Sequence, residues 1–134
     1  MTVPATADAL NNLTSIIISA AIGIHRTFGS GLLEHAYLAC LCHELNAAGL
    51  AIEVQKPISL IYRGVKIDCA YRADLIVEGV VLVEVKAIDA LAPFHERQLN
   101  TYLRLTECPV GLLLNFGAPT MKAGIKRVVN GFPS

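Results

Sequence analysis

Tyr71-Arg72-Ala73-Asp74-Leu75-Ile76-Val77-Glu78-Gly79-Val80-Val81-Leu82-Val83-Glu84-Val85-Lys86 is a pair of apolar, β-branched runs parted by Glu78-Gly79, the pattern of a β-hairpin. Successive side chains of a strand point to opposite faces. Extended back to Val65, the first strand sets Val65, Ile67, Cys69, Tyr71, Ala73, Leu75 and Val77 on one wall. Lys66, Asp68, Ala70, Arg72, Asp74 and Ile76 fall on the other. The return strand divides in the same way, Val81, Val83 and Val85 against Leu82, Glu84 and Lys86.

Loop length decides whether Asp74 shares a wall with Glu84. A two-residue loop would put Asp74 beside Val83 and send Glu84 to the far side. A three-residue loop, Val77-Glu78-Gly79 with Gly79 left-handed, restores matching parity. It also keeps Leu75, Val77, Val81 and Val83 on one buried wall, which a slip of one residue would ruin. The odd loop is therefore expected, with Asp74, Glu84 and Lys86 clustered on the wall opposite the core.

Two chemistries suit such a cluster. One is a solvated face on which Arg72 and Lys86 neutralise Asp74 and Glu84 across the strands. The other is a site of hard oxygen ligands for magnesium or manganese, with the lysine close enough to act on a water or a phosphate.

Upstream, apolar residues recur at helical spacing from about Thr6 to Thr27: Leu10, Leu13, Ile17, Ala20 or Ala21, Ile24 and Phe28. Gly29-Ser30-Gly31 breaks this helix. A second runs from about Leu32 to Ala48, closed by Gly49 as a C-cap, with Leu38, Leu41 and Leu45 inward. Glu34, four residues before Leu38, belongs to that inward line. It suits either a first-turn acid favoured by the helix dipole or an acid facing the hairpin's polar wall. Residues 52–64 alternate as one strand with Pro57 at an edge or a break, giving a three-stranded meander. Downstream, Pro93 opens a helix to about Thr106, with Leu99 and Leu103 on one face and His95, Gln98 and Tyr102 on another. Pro109 to Phe116 reads as a strand buried on both sides and parallel to its neighbour, reached by a right-handed crossover. A short strand near Ile125 to Asn130 closes the chain.

At 134 residues without a Pro-, Gly- or Ser-rich linker, the expectation is a single domain over 1–134. Eleven basic and eleven acidic side chains cancel, so no overall field draws nucleic acid in. Phosphate contacts would need a local patch from Arg72, Lys86, Arg97, Lys122, Lys126 and Arg127. Hydrophobic residues make up 54% and charged ones 16% of the chain, which leaves little polar surface and suggests a homo-oligomer. Cys40, Cys42, Cys69 and Cys108 have no zinc spacing and read as reduced, mostly buried side chains of a cytoplasmic protein. The N-terminus lacks the basic region and cleavage site of a secretory signal. The most apolar run, Leu13 to Ile24, is too short to span a bilayer, so no membrane association is expected.

Asp74, nine residues, then Glu84-Val85-Lys86 resembles the PD-(D/E)XK nuclease signature. Gly31-Leu32-Leu33-Glu34-His35-Ala36-Tyr37 matches the naming motif of its small GxxExxY branch. Gln98 and Tyr102 are similar to the Gln-x-x-x-Tyr element of RecB-like nucleases. Leu113-Leu114-Asn115-Phe116-Gly117 and Gly124-Ile125-Lys126-Arg127 resemble the branch's C-terminal part. No single motif is specific, but the ordered set covers the chain from about Ser15 onward.

The resemblance implies an α/β (α+β) fold, a restriction-endonuclease-like core with a mixed central sheet flanked by helices. It implies Mg2+- or Mn2+-dependent hydrolysis of phosphodiester bonds in DNA or RNA. Asp74 and Glu84 would hold metal, with the Val85 carbonyl and Glu34, directly or through water, completing the shell. Lys86 would act on the attacking water and the transition state. Gln98, Tyr102 and Arg72 would contact substrate or steady the site. A degenerate module that binds nucleic acid or assembles with protein is the other outcome for such a fold, although a pure scaffold has no need of like-charged acids held together.

Overall fold

The computed structural model describes residues 6–134; residues 1–5, on which the reading of the N-terminus partly rests, lie outside them. Helix α1 spans Ala7–Phe28 and α2 Glu34–Ala47. Strands β1 (Ile52–Tyr62), β2 (Val65–Val77) and β3 (Val81–Lys86) follow, then α3 (Pro93–Thr106), β4 (Val110–Asn115) and β5 (Ile125–Val129). The five strands form one mixed sheet in chain order. Only β3 and β4 are parallel. This is the α+β architecture the sequence implied.

Helix ends follow from local chemistry. The Thr6 hydroxyl accepts the Ala9 amide and opens α1, while Gly29 closes it at φ 67°, a conformation that suits a residue without Cβ. Leu10, Leu13, Ile17, Ala21 and Ile24 form the buried line of α1, and Ala21 rather than Ala20 completes it. Phe28, expected inward, lies beyond the core and is exposed. By length and composition α1 is long and apolar enough to cross a membrane, which the dozen-residue run Leu13 to Ile24 did not suggest. In this fold its buried line instead covers one face of the sheet, each large side chain contributing about 1.5–3 kcal/mol.

The hairpin loop has odd length, and β2 and β3 keep matching parity. It comprises Glu78, Gly79 and Val80, one residue later than the expected frame, because Val77 pairs with Val81. Glu78 and Gly79 both take positive φ, 52° and 70°, and the Val80 amide bonds back to the Val77 carbonyl at 3.0 Å. That is the double left-handed geometry that suits the twist of a hairpin.

Two expectations about the walls are corrected. The sheet is covered on both faces. Leu75, Val77, Val81, Val83 and Val85 join α1 and α2 in one core. Ile76 and Leu82, on the supposed polar wall, join Leu99 and Leu103 of α3 in a second. Second, residues 61–70 are exposed on both faces, including Val65, Ile67 and Cys69, which the alternation placed in the core. The reason is length: β2 has 13 residues and β3 six, so the β1–β2 hairpin extends past anything able to cover it. Pro57 sits in β1, an edge strand, where its missing amide costs no ladder bond on the open side.

Candidate active site

The β2–β3 ladder stops at Leu75 and Val83. One residue further, side chains take over the pairing. The Asp74 amide donates to Glu84 Oε2 at 3.0 Å, and the Val85 amide donates to Asp74 Oδ2 at 2.9 Å. Each carboxylate thus spends one oxygen on the neighbouring strand's backbone, and among the described residues its other oxygen takes no hydrogen bond. Glu84 is only 6% exposed. Burial raises its carboxyl to about 8, with the negative charge of Asp74 adding to the rise, against the opposing effects of the Asp74 amide and Lys86.

Among the described residues no cation forms an ion pair with either acid. Arg72 is exposed beside Pro57 on the β1 side, and neither it nor Lys86 forms an ion pair among the described residues. The cross-strand ion-paired face is therefore not what the chain builds. Lys86 ends β3, half-buried, and its carbonyl accepts the Phe116 amide at 2.8 Å. Val85 turns its side chain into the α1–α2 core and commits its amide to Asp74, so the ligand role expected of it falls to its carbonyl oxygen alone.

Helix α3 brings Tyr102 to this site. Its ring lies flat on Tyr71, centroids 3.4 Å apart and planes 8° apart. Burial, then the charges of Glu84 and Asp74, hold the Tyr102 hydroxyl above its ordinary range. Gln98 stands half-buried one turn earlier, and no hydrogen bond joins it to Tyr102. His95 Nδ1 accepts the Ala92 amide and so caps the helix. Lys126 pairs with Glu96 at 3.5 Å and Arg127 donates to Asn11, so the basic patch expected from these residues is spent elsewhere.

Glu34 does not join the carboxylate pair. It lies on the angular line of Leu38, Leu41 and Leu45, yet it is exposed, because the core beneath α2 stops at Tyr37 and Leu38. Among the described residues no three His, Cys, Asp or Glu side chains converge as a metal cage. Tyr37 carries the structural weight of this motif: its hydroxyl donates to the Gly29 carbonyl and accepts the Leu32 amide, and its ring stacks on Phe116.

Two residues at the site were not singled out by sequence reasoning. Strict alternation places Tyr71 on the far wall, but Tyr71 and Ala73 belong to the α3-side core while Leu75 and Val77 belong to the other. The alternation slips at Asp74, opposite which Gln55 takes a left-handed φ of 52° and drops out of the β1–β2 ladder. The Tyr71 hydroxyl is buried without a hydrogen-bond partner, and burial followed by the charge of Glu84 pushes it up. Asn115, buried beside Lys86 on β4, accepts the Ile88 and Gly117 amides and donates to the Ile88 carbonyl. It pins the segment leaving the site. Its only signal in the sequence was its place in a family-like Asn-Phe-Gly run.

The donor set fits a hard divalent cation. Two carboxylates each offer a free oxygen, one of them buried at a cost that a cation would relieve, and among the described residues no Cys or His joins them. Two carboxylates without a third suit an ion that takes its remaining ligands from water and phosphate.

A mixed sheet that carries an aspartate where one strand parts from the next, Glu-x-Lys on that next strand, and a helical crossover to a parallel strand defines a restriction-endonuclease-like core. The chain belongs to the PD-(D/E)XK nuclease superfamily, whose profile matches residues 11–128. No curated protein and no solved structure matches it. Nucleases of this superfamily generally use divalent metal ions and act on nucleic acid.

Proposed function

We propose that this protein is a Mg2+- or Mn2+-dependent nuclease of the GxxExxY branch that hydrolyses phosphodiester bonds in DNA or RNA. The observation that carries the reading is the interlocked, cation-free pair Asp74 and Glu84, with Lys86 next along β3. A divalent ion held by Asp74, Glu84 and the Val85 carbonyl would supply a Lewis acid for water and phosphate. Lys86 offsets the negative charge that gathers on the phosphoryl oxygens as water adds to phosphorus and the bond to one sugar oxygen breaks. Tyr102 and Gln98 steady the wall opposite the pair. Glu34 acts through water from the start of α2. The same reading makes residues 1–134 one cytoplasmic domain in which α1 is a core helix.

Calorimetric titration of Mn2+ and Mg2+ into the wild type, Asp74→Ala and Glu84→Ala tests the site without a guess at the substrate. Binding in the wild type and none in either variant is expected, together with cleavage of labelled DNA or RNA that chelator abolishes. Equal binding by all three proteins would remove the pair from the metal site.

A further inference from the structure

Strands β3 and β4 end together at Lys86 and Asn115, but β1 and β2 do not. Continuing the β2–β3 register sets Asp74 opposite Glu84 and Arg72 opposite Lys86. Residues 58–71 therefore overhang the sheet at the end where the carboxylates stand. From Asp74 to the tip at Gly64 the strand reaches roughly 30 Å, at about 3.3 Å per residue. The register shifts between Ile58 and Leu60, and Cys69 takes a φ of 52°, so a bulge re-aims the arm beside the site.

The arm's chemistry has two parts. Leu60 pairs with Ile67 and Tyr62 with Val65, which places these four side chains on one face. Three of them are exposed large apolar residues: Tyr62 at 59%, Val65 at 61% and Ile67 at 44%. The tip carries Arg63, the opposite face Lys66 beside the exposed Ile61 with which it pairs, and Arg72 stands at the base. The arm's one acid, Asp68, lies 3.7 Å from Lys66. In a chain whose charges cancel overall, this segment has a basic excess and continues directly into Asp74. The Arg63 guanidinium sits over the Tyr62 ring, 5.5 Å from its centroid, next to an exposed aromatic surface.

An unpaired nucleic-acid strand is amphipathic in the same sense, with anionic phosphates on one edge and flat, poorly hydrated bases on the other. Proteins that hold such strands combine basic grooves with stacking side chains. We propose that the β1–β2 hairpin is a binding arm for single-stranded or locally unpaired nucleic acid, guiding it to the Asp74–Glu84 pair. Arg63, Lys66 and Arg72 meet the phosphates, while Tyr62 and its apolar neighbours lie under the bases. The inference rests on the nuclease reading above and adds the element and strand state that reading leaves open.

Fluorescence anisotropy in chelator, where cleavage is silent, tests it with labelled single-stranded DNA, single-stranded RNA of the same sequence, and the matching DNA duplex. The wild type is compared with Tyr62→Ala and with the double substitution Arg63→Glu, Lys66→Glu, each checked for an unchanged melting curve. A single strand is expected to bind more tightly than the duplex, and Tyr62→Ala to weaken it by about five-fold or more. The double variant should lower the slope of log affinity against log salt by roughly 1.4, about 0.7 for each lost contact. Tight wild-type binding that neither variant changes would overturn the arm and leave the nuclease reading standing. Preference for the duplex would overturn the unpaired-strand assignment. Absence of binding to all three probes, with cleavage also absent in Mn2+, would remove the nuclease reading and the arm together. A wild-type dimer by sedimentation that Val65→Glu converts to monomer, without change in oligonucleotide binding, would make the arm a contact between copies of this chain and overturn the proposal.

Discussion

Glu84 and Asp74 hold each other's strands apart and together at once: Glu84 Oε2 takes the Asp74 amide at 3.0 Å, and Asp74 Oδ2 takes the Val85 amide at 2.9 Å. A backbone ladder would satisfy the same amides without drawing the two carboxylates onto each other's strands. Replacing two ladder bonds by side chains opens the strands and presents two acids side by side. The arrangement costs electrostatic energy, since one acid is buried and both carry the same sign.

That cost is visible as pH dependence in chelator. Glu84 stands at about 8 in the folded chain against an ordinary 4.5, so between these values the folded chain keeps a proton that the unfolded chain has lost. Stability is then full below about pH 4.5 and falls as pH rises towards 8, by on the order of a few kcal/mol. Thermal melts of Glu84→Gln should lack most of that decline and exceed the wild type at pH 8. A wild-type melting temperature that rises over this interval would contradict the burial of an uncompensated carboxyl.

Lys86 separates metal binding from chemistry. It pairs with neither acid within ion-pair distance, so Lys86→Ala should leave Mn2+ affinity within a few-fold of the wild type and the fold intact. Cleavage should drop by about 10²–10³-fold, the usual cost of removing one group that stabilises transition-state charge. Single-turnover cleavage beside calorimetry checks both halves. Wild-type rates in the variant would take Lys86 out of the mechanism.

The hairpin, the odd loop, the edge position of Pro57 and the parallel β4 were all legible, because each rests on parity, φ preference or continuous burial within a few residues. What was not legible depends on where strands outrun their cover. Val65, Ile67 and Cys69 alternate like core residues but have nothing above them, and Glu34 lies on a buried helical line one turn past its end. Tyr71 was lost for a different reason: period two fails where Gln55 turns left-handed across the ladder, and nothing in Gln55 as a residue type announces it. Cover and bulges are properties of neighbours distant in sequence.

Tyr71 offers a direct measure of that hidden contact. Its hydroxyl is buried and unpartnered, which costs about 1–3 kcal/mol. Tyr71→Phe should therefore raise the melting temperature, while Tyr71→Leu should lower it by removing the face that Tyr102 stacks on. A destabilised Tyr71→Phe protein would show that the hydroxyl is satisfied in solution.

Asn115 controls how the chain leaves the site. Three of its bonds go to Ile88 and Gly117, and no other group in the described residues takes over the Ile88 amide. Asn115→Ala strands these half-buried backbone groups, an expected loss of roughly 2–4 kcal/mol and about 10 °C in melting temperature. Gly117→Ala attacks the same junction by another route, since a Cβ at that position would collide with the backbone of Ile88. Both variants should release the segment after Lys86, so amide exchange in residues 87–92 should quicken while the α1–α2 core stays protected. Uniform quickening across the chain would show instead that Asn115 supports the whole fold rather than the junction beside Lys86.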